Sequence, residues 1–479
     1  MNGSQGSQGI MVKSLRSIRS EQKISQGELA EAACVPVAQL RRWERLLEPV
    51  PSRNLTSLAK ALGVRRVDLK SALSANADLP EIGEGYVTAV AEDQLILPRR
   101  EDHGQGIRVL DLFCGTGGFS HGFESTGHFK VTAGLDLLHD RVTSFHRNHR
   151  FATAVAADIR KFSTAELGDL ALNPDVIIGG PPCQGFSSIR PFRTLTETDP
   201  RNSLPEYFML TLRELKPKWF VFENVVGMLT HQSSRNFFHE LLRSFEGLGY
   251  KTDWRVINAA SFGLPQNRER VIVVGNALGR TFEWPQPTHQ VAYRSMAGNF
   301  AGQLVPTASR AAKLVPAMTV MDAIGDLPVV QSGEKAVAYG KSKKRNDYQR
   351  RMRNGASQLT LHESTAHSEK MLAIIRAAGR NRAALPEGMT RSGFSSCYSR
   401  LAADEPSTTI TVNFVHPSSN RCIHPYQDRA LTPREGARIQ SFPDTFEFAG
   451  TRAQIVKQIG NAVPPLLGEV LAGAIAAQY

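Results

Sequence analysis

The stretch Ile107–Phe119 reads IRVLDLFCGTGGF. Its first half has the length and apolar content of a buried strand. Its second half is a turn with three glycines, Gly115, Gly117 and Gly118. Glycine lets a backbone turn sharply and approach a ligand closely. Strand-like runs recur downstream at VTAGLD (131–136), DVIIGG (175–180), WFVFEN (219–224) and RVIVVG (270–275), separated by helix-length segments. This alternation predicts an α/β fold with a parallel, doubly wound sheet. Such sheets bind ligands beyond the C-terminal ends of their strands.

The polar residues at those strand ends define a candidate site. The turn at 113–118 is not a G-x-G-x-x-G dinucleotide fingerprint. Asp136 ends the next strand, where a carboxylate suits the two hydroxyls of a ribose. Asp158 ends AVAADI and is suited to accept from an adenine amino group. One Gly-rich loop with two strand-end acids fits a nucleoside without a pyrophosphate. The loop GGPPCQGFS (179–187) follows another strand and holds Cys183 between prolines and polar residues. A lone cysteine is commonly a small buried hydrophobe, but this setting points instead to a thiol at the ligand face. Glu223 ends WFVF in the same cleft, where a carboxyl can exchange a proton with a substrate. In QNRER (266–270), Arg268 and Arg270 alternate on an extended segment. They point the same way and can grip a phosphate or a base. For Glu223 or either arginine taken alone, a structural ion pair is the simpler reading.

Upstream, residues 12–70 read as an all-α module. Ser25 with Glu28 makes a capping-box pattern, and Leu29, Ala30 and Ala33 share a helical face. Val35-Pro36 marks a turn. A helix restarts in VAQLRRWERLL (37–47), and another covers Leu55 to Leu62 before Gly63. The stretch 12–66 carries 11 Lys and Arg against 5 Glu. Residues 1–11 read as a disordered tail and 71–106 as a linker. Residues 286–451 lose the strand–helix alternation and include KSKKRNDYQRRMR (341–353), a basic run that is either a solvated face or a phosphate contact.

The chain has 479 residues, with 57 Lys and Arg against 45 Asp and Glu, a net charge of +12. That balance favours a polyanion, nucleic acid first. The five cysteines form no C-x-x-C pair, so neither a structural zinc site nor a disulfide framework is expected, and no metal. Reduced thiols suit the cytoplasm. No apolar run approaches the ~20 residues of a membrane span.

Two resemblances follow from these residues. LRSIRSEQKISQGELAEAAC, VPVAQLRRWE and NLTSLAKALGV resemble the lambda-repressor-like helix-turn-helix family. That resemblance implies a second helix in the major groove, exposing Gln39, Arg41 and Arg42 to double-stranded DNA. A protein-docking module is the alternative. The ordered set DLFCGTGGF, GGPPCQGFS, DPRNSL, ENVVGM, QNRERV, LTPREGARIQSFPD and QIGNAVPP is similar to the motif series of the DNA cytosine-5 methyltransferase family. It implies a Rossmann-like methyltransferase sheet over 107–285, an irregular target-recognition domain over 286–451, and a segment 452–479 that returns to the catalytic domain.

The second resemblance also implies roles. S-adenosyl-L-methionine is contacted by Phe113, Gly115, Gly117, Gly118, Asp136, Asp158, Leu204 and Asn461. Asp136 stands where many relatives have Glu. Cys183 is the nucleophile, Glu223 contacts the cytosine, and Arg268 and Arg270 support the pocket. Arg190 and Arg193, in the loop after Cys183, are available to phosphates. The stretch 286–428 has no motif until RLAADEPSTTIT (400–411). A helix-turn-helix fused to such an enzyme resembles restriction-modification methyltransferases that repress their own operon, so operator DNA is an expected second partner. An RNA cytosine-5 methyltransferase and a non-catalytic DNA-binding regulator are the rival readings.

Overall fold

The computed structural model describes residues 15, 18–19, 22–37, 40, 43, 50, 54–66, 69, 94–96, 104–182, 204–230, 232–292, 304, 313–340, 345–390 and 395–479. The 1–11 tail lies outside them, as do Gln39, Arg41, Arg42, Cys183, Arg190 and Arg193. The chain divides into two compact units, Met1–Val90 and Ala91–Tyr479.

In the first unit, α1 (Gln26–Ala32) begins at a complete capping box. The Ser25 hydroxyl accepts from the Glu28 amide at 3.2 Å, and the Glu28 carboxylate accepts from the Ser25 amide at 2.7 Å. The chain turns at Cys34, in the left-handed region at φ 52°. Helix α2 (Leu55–Ala61) follows. Leu15, Ile18, Leu29, Ala30, Leu40, Trp43, Leu55, Leu58 and Leu62 meet in one core, as a helical periodicity requires when each helix is too short to stand alone.

In the second unit, strands β1 (Gln94–Ile96), β2 (Ile107–Leu112), β3 (Phe129–Asp136), β4 (Thr153–Ala156), β5 (Val176–Gly179), β6 (Trp219–Val225), β7 (Lys251–Asn258), β8 (Gln266–Asn267) and β9 (Glu269–Asn276) alternate with α3 (Gly118–Ser125), α4 (His139–Asn148), α5 (Thr164–Leu170), α6 (Leu204–Leu215) and α7 (Gln232–Gly247). The main sheet has the order β1-β4-β3-β2-β5-β6-β9-β7. Successive residues along a strand face opposite sides. Thus Leu110, Leu135, Ile177, Phe220, Phe222 and Val273 build one core with Phe208, Phe238 and Phe245. Val109, Val131, Ile178, Val221 and Ile272 build the other with Phe119, Phe123 and Phe145.

Three expectations change. The sheet is mixed: β2 to β6 run parallel, whereas β9 is antiparallel to both β6 and β7. Only a short segment with a one-turn 3-10 helix, Ala259–Phe262, joins β7 toward β9. A parallel pair needs a longer crossover. The stretch read as a linker contributes β1, which pairs antiparallel with β4 at the sheet edge. Finally, Arg452–Ala476 is long and apolar enough by composition to cross a membrane. It is two helices, Arg452–Asn461 and Pro465–Ala476, and Leu467, Leu471 and Ile475 are buried in the second core of the sheet.

Beyond the sheet, α8 (Val320–Ile324), α9 (Asp347–Arg353), α10 (Glu369–Ala377), α11 (Pro433–Ile439) and α12 (Arg452–Asn461) precede α13 (Pro465–Ala476). A third core joins Val320, Ile324, Tyr348, Met352, Leu401 and Phe414 to Ile439, Phe442, Ile455 and Ile459. Helix α12 therefore shares its packing with the irregular region, while α13 packs on α3. The α3 contact is backbone to backbone: a Cβ on Gly122 would stand 2.2 Å from the Pro465 carbonyl oxygen.

Candidate active site

The strand order reverses at β2/β5, so the loops after these two strands open the crevice where doubly wound sheets bind ligands. After β2, Phe113 takes the left-handed conformation, φ 60°, followed by Gly115 at 53° and Gly117 at 89°. The three glycines of this turn serve different ends. No described atom lies within 4 Å of where a Cβ on Gly115 would stand. A Cβ on Gly117 would meet the His149 ring at 2.3 Å, and one on Gly118 would meet the Val463 carbonyl oxygen at 2.5 Å. Gly115 thus faces open space, while Gly117 and Gly118 admit other parts of the protein.

Asp136, at the end of β3, ties the turn to the sheet. Its carboxylate accepts from the Gly115 amide at 3.0 Å and the Leu138 amide at 2.9 Å. Burial raises its pKa above the ordinary aspartate value, and these amides oppose the rise. Each oxygen keeps further acceptor capacity. Asp158 lies two residues past β4, and Arg160 grips it at 2.6 Å. Burial pushes this carboxyl up, but Arg160 outweighs it and holds the group below its usual range. Leu204 opens α6 and packs on the sheet core. Thr116 is 2% exposed, and its hydroxyl has no partner among the described residues.

The second half of the site stands over β5, β6 and β9. Glu223 is 8% exposed and pairs with Arg270 Nε at 2.7 Å. Its other oxygen would stand 2.8 Å from a Cβ on Gly180, so the backbone leading to Cys183 passes directly against the carboxylate. Asn224 Nδ2 donates to the Pro181 carbonyl at 3.0 Å and holds the same segment. Arg268 and Arg270 do different work. Arg268 is buried and donates from Nη2 to the Gly460 and Ala462 carbonyls at 3.3 and 2.9 Å. It fastens the turn between α12 and α13, and Asn461 stands exposed at the end of α12 between those two acceptors. Arg268 Nε and Nη1 have no hydrogen-bond partner among the described residues.

Sequence reasoning assigned no role to several groups around this site. Asp111 is buried mid-sheet, accepts from Ser120 Oγ at 2.6 Å, and is pushed up to about 7 by burial. A carboxylate inside an apolar strand run was its visible signal. Gln266 Nε2 donates to Gln440 Oε1 at 2.6 Å, and Gln440 donates to the Ile459 and Ala462 carbonyls. His149 reaches the Gly-rich turn from α4. Its 32-residue separation from Gly117 leaves no local pattern to read. The arginines in and beside PREGARIQSFPD are internal. Arg434 and Arg438 pair with Asp444, and Arg429, just upstream, with Glu435, all buried.

A profile of C-5 cytosine-specific DNA methylases matches residues 107–477. The chain belongs to this family. The Type II methyltransferase M.DdeI of Desulfomicrobium norvegicum is 34% identical over 394 residues, covering 77% of this chain and 88% of that protein. M.AgeI of Thalassovita gelatinovora is 31% identical over 433 residues, covering 77% of this chain and 99% of that protein. A helix-turn-helix profile matches residues 15–69 of the methylase. A crystal structure of a prophage-encoded protein (E. coli) superposes with a TM-score of 0.60 at 24% identity, over 78% of this chain and 99% of that one, a likeness of fold. The methylase is therefore a DNA cytosine-5 methyltransferase of the Type II restriction-modification kind, with a helix-turn-helix domain at its N-terminus.

Proposed function

We propose that this methylase transfers a methyl group from S-adenosyl-L-methionine to C5 of a cytosine flipped out of duplex DNA, through a covalent bond between Cys183 and C6. The observation that carries this reading is Glu223: ion-paired with Arg270, it lies against Gly180 at the head of the loop that bears Cys183. The turn after β2 fits the donor. Space is open over Gly115, the buried Thr116 hydroxyl lacks a partner among the described residues, and Asp136 retains acceptor capacity. Phe113, Gly115, Asp136, Asp158 and Leu204 would hold the nucleoside. Gly117, Gly118 and Asn461 would act by shaping the turn and the neighbouring α12 end. When bound, S-adenosylmethionine supplies an electrophilic methyl group.

The target carbon is shielded in a duplex, so the base is flipped at a cost of a few kcal/mol. Addition of the Cys183 thiolate to C6 pushes electrons toward N3 and makes C5 an enamine carbon. Glu223, steadied by Arg270, donates a proton to N3 from its carboxylic acid form and so neutralises that charge. C5 takes the methyl group, S-adenosylhomocysteine departs, a base removes the C5 proton, and the thiolate is expelled. Arg190 and Arg193 follow Cys183 closely enough in sequence to meet flanking phosphates. Residues 286–428 choose the site. The helix-turn-helix match supports a second role, repression through operator DNA read by Gln39, Arg41 and Arg42.

The test is transfer of labelled methyl to duplex DNA and to transfer RNA by the wild type and by Cys183→Ala. Transfer to the duplex, lost in the variant with S-adenosylhomocysteine binding retained, is the expected result. Near-normal transfer by Cys183→Ala sinks the covalent mechanism. Preference for transfer RNA sinks the choice of substrate.

A further inference from the structure

The Gly-rich turn is gripped by a residue outside every motif of the sequence. His149 caps the C-terminal end of α4 and is fully buried. Its Nε2 stands 3.1 Å from the Gly117 carbonyl oxygen, and its Nδ1 stands 2.7 Å from Glu124 Oε2 on α3. Phe145 covers the ring, with centroids 4.4 Å apart. The imidazole fills the space in which a Cβ on Gly117 would lie.

Gly117 is the N-cap of α3, and its left-handed φ of 89° sets the direction of its carbonyl. That oxygen also accepts the His121 amide at 2.8 Å, so both of its lone pairs are engaged. Each nitrogen of His149 faces an acceptor, one a carbonyl and one a carboxylate. One side chain thus links α4, α3 and the turn between β2 and α3.

We propose that His149, oriented by Glu124, is a positioning residue for the methyl donor: it fixes the Gly117 peptide and with it the face that Gly115 and Thr116 turn to the ligand. The proposal rests on the reading that this turn holds S-adenosylmethionine. His149 does not itself touch the open side of the turn; its grip is on the carbonyl behind it.

The experiment is calorimetric titration of the full chain with S-adenosylhomocysteine, comparing the wild type with His149→Phe and Glu124→Gln. Phenylalanine keeps an aromatic ring over Gly117 and donates nothing. Glutamine removes the charge that orients the imidazole at a partly exposed position and leaves the core intact. Removal of one hydrogen bond predicts affinity weakened about tenfold for His149→Phe and about threefold for Glu124→Gln. The KM for the methyl donor rises in parallel, while kcat and the KM for DNA stay within about twofold. Unchanged affinity in a folded His149→Phe protein overturns the positioning role, as does a fall in thermal midpoint without a fall in affinity. If His149→Phe does not fold, wild-type affinity in Glu124→Gln overturns it. Absence of binding by the wild type removes the donor reading itself and this proposal with it.

Discussion

Cys114 lies two residues past the end of β2, and Cys183 lies four residues past the end of β5 in sequence. Cys114 is buried, and burial, with the Asp111 and Asp136 carboxylates adding to it, pushes its thiol well above the ordinary value. A thiol so placed supplies almost no thiolate near neutral pH. Cys114→Ala should therefore keep methyl transfer within a few-fold of wild type, whereas Cys183→Ala should lose it; assays on the two single variants check this. Asp111 carries a pH signature. Burial raises its folded pKa to about 7 from an ordinary aspartate value of 3.8, so the fold favours the protonated acid. Its contribution to stability is complete below the unfolded value and is lost as pH rises through about 7. Asp111→Asn keeps an acceptor for Ser120 without the charge. Relative to wild type it should gain up to about 4 kcal/mol between pH 4 and pH 8. Urea melts at both pH values measure the difference, and an equal offset at both rules out the titration.

At the scale of elements, the irregular region is less separable than its composition suggests. Val320, Ile324, Tyr348 and Phe414 pack with Ile439 of α11 and Ile459 of α12. Asp326 holds Arg353 at 2.9 Å and also pairs with the buried Arg438 of α11. An exchange of 286–428 for the matching part of a relative therefore cuts through one core and one buried ion network. Leaving either half of such a network unpaired costs about 3 kcal/mol or more. An exchange that keeps Val320, Ile324, Asp326, Tyr348 and Phe414 should fold, transfer methyl groups and methylate a new sequence. Mapping methylated cytosines in host DNA reads this out. An active chimera that keeps the original site shows that recognition resides elsewhere.

For the whole molecule, the division into two compact units makes the proposed division of labour testable by truncation. Residues 91–479 produced alone should fold and methylate duplex DNA. Residues 107–479 lack β1, which covers the edge of β4 through three paired residues. That shorter chain should melt several degrees lower and aggregate more readily, because an open strand edge invites pairing with another chain. Calorimetry and light scattering on the two truncations decide the point. In the intact chain, changing Gln39, Arg41 and Arg42 together to Ala should release promoter repression, because each bidentate pairing of a side chain with a base is worth roughly 1–3 kcal/mol. Methyl transfer on a duplex without the operator should stay near normal. Collapse of transfer with repression intact would show that the labour is not divided this way.

What the sequence determined by itself is local. Apolar runs of strand length, glycines at 115, 117 and 118, and the Ser25–Glu28 cap act over a few residues, so strands β2, β3, β5, β6 and β9 and the start of α1 were legible. Asp136 at the end of β3 and Asp158 just past β4 were legible for the same reason, whereas Glu223, read as a strand end, lies inside β6, which runs on to Val225. Tertiary structure decided the rest. The direction of β9 depends on the absence of a crossover after β7, and β1 forms only because β4 offers an edge. Arg268 and Arg270 looked equivalent two residues apart. Packing gave one the carbonyls at 460 and 462 and the other the carboxylate of Glu223. Two of the three glycines in the turn are glycines because His149 and Val463 arrive from distant parts of the chain. Approaches of that kind are set by steric fit across the fold, and no spacing along the chain encodes them.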